Sequence, residues 1–317
     1  MDFIKRFRRG RVYKNALKER RRRARDESLA VIDAMMKEFR EKLPFLESFR
    51  TNLIPLVHHT GRYFDRLLNS VPGPAVFDPQ KWASDPLLHA LCDTEKGAAD
   101  VIRASEPLHK FFQDSNSNEA FALLTAQKRE KTVFGTESVG EIVRRDVIQK
   151  AVFFEELAIA MPADALDKTR RQAFHQLFYT LFSAAADTIS NLNRLESELK
   201  LQHDEIAAKG ALYSDENRPR EIDELHQVLD KKIEDVEAAL DSPEDYIAPL
   251  RELLSHPETH LTAKVLFLRL NSMGILLKEA SADKSDGFSL AEFKSGSKQK
   301  WVATWVRVDR SSVAKLY

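Results

Sequence analysis

The chain has 317 residues with 49 basic and 49 acidic side chains, so its formal net charge is zero. A single cysteine, Cys92, excludes an internal disulfide and a cysteine-based zinc site. No apolar stretch approaches about 18 residues, and the basic N-terminus lacks the apolar segment of a secretory signal. The sequence therefore predicts a cytoplasmic protein without a transmembrane helix.

The charge is unevenly distributed along the chain. Residues 1–25, which we call the basic arm, hold twelve basic and two acidic side chains, a net charge of +10. This leaves 37 basic and 47 acidic side chains, a net charge of −10, for residues 26–317. Such asymmetry indicates a polyanionic partner, either nucleic acid or an anionic membrane surface. Gly10 argues against one continuous helix through the arm.

Helical spacing begins at the end of the arm. From Ser28 to Leu43 apolar residues recur every three or four positions, which predicts an amphipathic helix that Pro44 ends or kinks. A second helical stretch follows, with another kink expected at Pro55. The sequence Val71-Pro72-Gly73-Pro74 is the strongest break in the N-terminal half.

Short elements are predicted between residues 85 and 161. Asp85, Thr94 and Ser105 are predicted N-caps of three short helices. Residues 118–131 fit a short amphipathic helix. Residues 132–161 are ambiguous, because their apolar spacing fits a helix while their composition is rich in β-forming residues, and the composition slightly favours a strand pair.

The clearest pattern begins at Asp164. Apolar residues follow a heptad spacing to about Gly210, and the spacing restarts over residues 222–240 after a polar turn. Two such stripes joined by a short loop predict a long antiparallel helical hairpin, which we expect to bind a protein partner or a second copy of the chain.

The C-terminal part changes character. Ser242 and Pro243 are typical of a helix start, and a helix or a strand is expected near Val265. Three short runs, 274–280, 288–293 and 300–309, predict a three-stranded antiparallel meander, because the last run alternates between two faces.

These patterns predict a mainly α (α+β) fold with an irregular helical domain, a coiled-coil-like hairpin and a small C-terminal meander. The predicted divisions are the basic arm at 1–25, a helical domain at 26–163 with a possible strand pair at 132–161, the hairpin at 164–241, and a helix plus the meander at 242–317.

No catalytic signature is present. The chain lacks the glycine-rich loops of nucleotide-binding proteins and the Gly-x-Ser-x-Gly motif of α/β-hydrolases. We therefore predict no catalytic residue, no metal ligand and no cofactor, and the chain is more consistent with a binding protein than with an enzyme. The alternative is a metal-dependent enzyme with a site built from His58, His59 and the helices around Trp82.

The basic arm is the predicted functional site. We expect a non-enzymatic helical adaptor or scaffold that docks through the arm, peripherally at the inner face of the membrane. A membrane is slightly preferred because bulky apolar residues at the extreme N-terminus can insert into the interface. Nucleic acid is the alternative partner, and a third possibility is that the arm pairs with the acidic remainder of the chain. The predicted surface-binding residues are Phe3, Lys5, Arg6, Phe7, Arg8, Arg9, Arg11, Arg20, Arg21, Arg22 and Arg23.

Overall fold

The computed structural model describes residues 2–139, 142–213, 219–271, 273–277, 287–295 and 300–314, with side chains except at 2–17, 137–139 and 142–144. The chain forms two compact units, each built from two separate stretches. The helical unit comprises Met1–Arg62 and Gln176–Pro257, and the sheet unit comprises Tyr63–His175 and Glu258–Tyr317.

Ten α-helices and six strands are found in the described residues. The helices are α1 Asp2–Phe39, α2 Arg50–Asn69, α3 Pro86–Leu91, α4 Glu95–Ala104, α5 Glu106–Asp114, α6 Leu166–Gly210, α7 Arg220–Ala238, α8 Pro243–Ser255, α9 Pro257–His260 and α10 Arg310–Ala314. The strands are β1 Ala75–Val76, β2 Glu119–Val139, β3 Ile142–Ala163, β4 Leu261–Leu268, β5 Phe288–Ser295 and β6 Lys300–Asp309.

The core of the helical unit brings together four helices that are distant in sequence. The ring of Phe39 in α1 lies 5.0 Å from that of Tyr179 and 6.1 Å from that of Phe182, both in α6. The Thr60 hydroxyl in α2 donates a 2.6 Å hydrogen bond to the carbonyl of Leu254 in α8. The apolar stripe of α1 that begins at residue 28 is therefore the surface that anchors this helix.

Helices α6 and α7 form an antiparallel hairpin in the helical unit. Leu199 of α6 is 7% exposed and packs in one cluster with Leu229 and Val236 of α7. The Lys200 ammonium lies 2.7 Å from the carboxylate of Glu237, at the end of α7 opposite to its start. The heptad spacing produces this seam because each helix covers the apolar stripe of the other.

The sheet unit is organised around one sheet in the order β3-β2-β6-β5-β4, in which every neighbouring pair is antiparallel. The short β1 adds a parallel pair to β6. Helices α3, α4 and α5 contribute to the core on one face of this sheet, through residues such as Leu88, Ile102 and Leu108. On the other face, the Thr169 hydroxyl of α6 donates to the carbonyl of Phe121, and the Arg170 guanidinium lies 6.0 Å from the ring centre of Trp305.

The prediction of a mainly α fold with a small C-terminal meander is wrong. Of the described residues, 58% are helical and 25% are in strands, and the sheet has six strands, so the fold is a mixed α+β arrangement. The main difference is the hairpin of β2 and β3, whose strands have 21 and 22 residues. It includes residues 119–131, which the sequence predicts to be helical, and it is far longer than the strand pair expected at 132–161.

The reason is that the first half of β2 is covered on both faces. Ala120, Ala122, Leu124 and Ala126 alternate along the strand and are all 1% exposed or less. The residues between them are also at least partly buried, so the sequence does not show the apolar–polar alternation of a half-exposed strand. Small alanines are also good helix formers, which reinforces the wrong prediction.

The predicted meander is also corrected in its first strand. Strands β5 and β6 lie where the second and third runs place them, but residues 274–277 form only isolated bridges, to Leu270 and Ala151. The third neighbouring strand is β4, which comes earlier in the chain. Residues 278–280 of the predicted run lie outside the described residues.

A network of charged side chains crosses the sheet on the face that α3, α4 and α5 cover. The ammonium of Lys128 in β2 lies 2.6 Å from the carboxylate of Glu292 in β5 and 2.9 Å from that of Glu130. Lys264 in β4 lies 3.1 Å from the second oxygen of Glu292. The Lys128 and Glu292 side chains are only 7% and 1% exposed. Burial alone would raise the pKa of Glu292, but the hydrogen bonds from Lys128 and Lys264 bring that pKa below its ordinary value.

This network predicts a sensitivity to acid. A carboxylate with a lowered pKa in the folded state stabilises the fold above its unfolded pKa, and that contribution is lost as the pH falls through its folded pKa. Glu292→Gln should lower the free energy of unfolding at pH 7 by about 3 kcal/mol, because it leaves Lys128 buried without its closest partner. Urea titrations at pH 7 and at acidic pH should show this difference from the native protein shrinking as Glu292 becomes protonated.

The matched control is Glu155→Gln, which removes a carboxylate that is 49% exposed and lies 3.2 Å from Arg129. Because this pair is exposed, the change should cost less than about 1 kcal/mol at either pH. Equal effects of the two substitutions at pH 7 would contradict a structural role for the buried network.

The hairpin seam predicts a position-specific effect in α6. Leu199→Asp places a carboxylate in the buried cluster and should cost about 3 kcal/mol or more, with a loss of helicity in the hairpin. Leu201→Asp is the control, because Leu201 is 63% exposed and only two residues away. Circular dichroism and thermal melting should separate the two variants, and unchanged melting of Leu199→Asp would rule out the seam.

Candidate anionic-surface site

The basic arm is not a separate flexible segment but the first part of α1. The helix runs without interruption from Asp2 to Phe39, so Gly10 does not break it. The side chains of Phe3, Lys5, Arg6, Phe7, Arg8, Arg9 and Arg11 lie outside the described residues, and these seven predicted contacts stay predictions. Lys18, Arg20 to Arg23 and Arg25 can be assessed directly.

All six of these basic side chains are exposed. Two of them form ion pairs along the helix. Arg23 lies 2.5 Å from the carboxylate of Glu19, and Arg22 lies 3.9 Å from that of Asp26. Every partner in these pairs is more than 60% exposed. Solvent-exposed pairs at this spacing contribute only about 0.3–0.5 kcal/mol each, so they do not hold the arginines in place.

The one described ion pair between the arm and residues 26–317 is that of Arg22 with Asp26, which is part of the same helix. Among the described side chains, no ion pair joins residues 18–25 to a carboxylate outside α1. Arg20, Arg21 and Arg25 make no ion pair with any described residue. Three of the six basic arginine and lysine side chains, Arg20, Arg21 and Arg25, are therefore exposed charges without a described counter-ion.

A shallow, open hollow of about 450 Å³ lies between α1 and α2 in the helical unit. Arg21, Ala24 and Arg25 of α1 form one wall, and they share a helix face because they are three or four positions apart. The other wall is one face of α2. Its lining residues are Thr51, Ile54, Pro55 and His58. Ala24 is small, so the two helices leave open space here.

An ion pair of residues that do not line the hollow joins the same two helices. The guanidinium of Arg50, at the start of α2, donates two 2.7 Å hydrogen bonds to the two carboxylate oxygens of Asp33 in α1. This bidentate arrangement lowers the pKa of Asp33, because the hydrogen bond from Arg50 favours the ionised carboxylate. The charge of Arg50 is therefore already balanced by Asp33, whereas Arg21 and Arg25 have no described counter-ion.

The alternative enzymatic site draws on residues of both units and stays a prediction. His58 and His59 belong to the helical unit, whereas Trp82 belongs to the sheet unit. The indole of Trp82 donates a 2.7 Å hydrogen bond to the carbonyl of Cys92, and its ring stacks on that of His89 with centroids 4.8 Å apart. These contacts give Trp82 a structural role in the sheet unit.

Cys92 and His203 are residue types that often take part in catalysis or metal binding, but both make structural contacts here. Cys92 is buried, and burial raises the pKa of its thiol to about 12, which makes a reactive thiolate unfavourable. His203 in α6 lies 3.2 Å from Asp230 and 4.8 Å, between ring centroids, from His226, both in α7. Within the described residues, no group of three or more histidine, cysteine, aspartate or glutamate side chains is arranged to hold a metal ion.

The sequence singles out Arg21 on the charged wall of the hollow and His58, as part of the alternative enzymatic site, on the opposite wall. Arg21 is among the predicted surface-binding residues, whereas Arg25 was counted only in the charge of the arm. Thr51 and Ile54 carry no signal in the sequence, and Pro55 only that of a kink, because their role in the hollow depends on how α2 packs against α1. Among the described parts of the chain, no helix is both long and apolar enough to cross a bilayer. Comparisons with protein-family models, with curated proteins and with solved structures found no match to this chain.

Proposed function

We propose that this protein is a non-enzymatic helical adaptor that docks on an anionic membrane surface through the basic arm. The observation that carries the proposal is the exposure of six basic side chains over residues 18–25, none of them paired with a described carboxylate outside α1. A cluster of this size, in which only Arg22 and Arg23 form described ion pairs, attracts a polyanion over the range of a Debye length.

The physics of a membrane surface fits this arrangement. Each basic residue held near an anionic leaflet contributes about 1 kcal/mol of attraction. The arm is helical, so its charges are held at a fixed spacing and docking does not have to order a coil. The remainder of the chain has a net charge of −10 and would be repelled by the same surface, which restricts docking to the arm.

Nucleic acid is the second candidate, and one observation favours it. Arg20, Arg21, Arg22 and Arg23 are consecutive in a helix, so their side chains leave the axis at steps of about 100° and surround most of it. A flat bilayer meets one side of a helix, whereas the major groove of DNA surrounds a helix with phosphates on two sides. Binding to nucleic acid would show a steep dependence on salt.

An adaptor also needs a second contact surface, for which the α6–α7 hairpin is proposed. Leu225 and Val228 are three positions apart on α7 and are 46% and 49% exposed. Apolar side chains in this position are available to a protein partner or to a second copy of the chain. These two side chains form a small apolar patch.

The proposal predicts that four arginines dominate membrane binding. Replacing Arg20, Arg21, Arg22 and Arg23 together by glutamine keeps good helix formers in α1 but removes four charges. At about 1 kcal/mol each, the loss should weaken binding to vesicles rich in anionic lipid by at least about a hundredfold. Co-sedimentation with anionic and with zwitterionic vesicles measures this effect, and the native protein should bind only the anionic vesicles.

The matched control replaces Lys110, Arg171, Lys231 and Lys232 by glutamine. These four exposed residues lie outside α1, so the control has the same net charge as the arm variant. An equal loss in both variants would mean that only net charge matters and would refute docking by the arm. Gel retardation of DNA and RNA at low salt tests the second candidate, which requires retardation that collapses at physiological salt and disappears in the arm variant.

A further inference from the structure

The hollow between α1 and α2 gives the basic arm a place to recognise one chemical group, in addition to its general attraction for negative charge. Arg21 and Arg25 line one wall of it and His58 lines the other. No acidic side chain lines this hollow, and both arginines lack an ion pair among the described residues. We infer that the hollow binds the phosphate monoester group of an anionic lipid, an inference that rests on the proposed membrane docking.

The charge and geometry of the two arginines match a phosphate monoester. Such a group carries a charge of about −1.5 to −2 near neutral pH, and the two guanidinium groups carry +2. A guanidinium offers a planar pair of N–H donors that can bind two phosphate oxygens at once. Arg21 and Arg25 are four positions apart on α1, so both forks can approach one group from the same side. The Thr51 hydroxyl on the opposite wall can donate one further hydrogen bond.

The rest of the lining favours a lipid over a free ion. Ala24, Ile54 and Pro55 form an apolar surface beside the arginines. A free phosphate ion has no group to place against this surface, whereas the glycerol and upper acyl carbons of a lipid can cover it. One wall of the hollow belongs to the arm, so a headgroup would be bound beside the part of the molecule that meets the membrane.

The experiment compares vesicles that differ in headgroup chemistry but not in surface charge. Vesicles of phosphatidylcholine are mixed with either phosphatidic acid or phosphatidylserine, in proportions adjusted to equal zeta potential. The full-length protein should prefer the phosphatidic acid vesicles. Arg21→Gln with Arg25→Gln should reduce this preference at least about tenfold, because two charge-assisted pairs are lost. Arg20→Gln with Arg22→Gln removes the same charge from the same helix outside the hollow, and it should keep the preference.

A second pair of variants changes the hollow without removing an arginine. Thr51→Glu introduces a carboxylate into the hollow, where it competes with phosphate for the arginines, and it should abolish the preference for phosphatidic acid. Asn52→Glu makes the same charge change at the next residue, which does not line the hollow, and it should have no such effect. Both substitutions lie in the first turn of α2, where glutamate is compatible with the helix dipole.

Soluble glycerol 3-phosphate distinguishes a lipid-bound phosphate from a free one. Competition by this compound at millimolar concentration would support phosphate chemistry in the hollow, and tighter binding to it than to the vesicles would overturn the lipid source. Competition by a DNA strand without terminal phosphates would overturn the monoester. If both arginine pairs lose binding equally and the native protein has no headgroup preference, the hollow is not a site, although membrane docking stands. If the native protein binds no anionic vesicle, the proposed function itself fails.

Discussion

The sheet unit depends on the pairing of its last strand. Strand β6 pairs with β2 over residues 301–309, with β5 at its beginning and with β1 near its end. It therefore connects parts of the chain that are separated by more than 200 residues, and Val302, Val306 and Val308 place its apolar face in the core. The backbone of β6 also lies very close to Gly73, where an added Cβ would be 2.3 Å from the carbonyl oxygen of Trp305. Glycine is required there because of this contact and a φ of 109°.

The helices could be predicted from the sequence more reliably than the strands, for a physical reason. A helix such as α6 or α7 buries one stripe, and its exposed side chains make the period of that stripe visible. Local hydrogen bonding adds further signals, and Asp85, Thr94 and Ser105 do cap α3, α4 and α5 through their side chains, as predicted. Most of the signals that predict a helix therefore lie in the sequence of that helix.

The strands are decided by partners that the local sequence does not reveal. The first half of β2 is covered on both faces, so its apolar residues follow no period that distinguishes a strand from a buried helix. The sequence of residues 261–268 is compatible with either a helix or a strand. Eight paired positions with β5 decide that this segment forms β4. The sequence predicts a strand over residues 274–280, but the backbone of the described residues 274–277 forms only isolated bridges.

The candidate site shows the same division. The charge of the arm was evident from counting residues, and the exposure of Arg20 to Arg23 agrees with a solvated helix. The hollow could not be predicted, because it depends on how one face of α2 packs against α1. The distinction between Arg21 or Arg25, beside open space, and Arg50, bound to Asp33, also exists only in three dimensions.

Because α1 is continuous, the arm has a fixed rotation about the helix axis in addition to its charge. Each residue advances the helix by 1.5 Å and turns it by 100°, so the backbone of residues 2–25 extends over about 36 Å. Its rotation about the axis is set by the buried stripe that begins at Ser28, because the helix has no break between the two parts. Two residues inserted after Arg25 would turn the whole arm by about 200° while its composition stayed the same. Spacing between the arm and the stripe is therefore a constraint on this chain, separate from the number of arginines it contains.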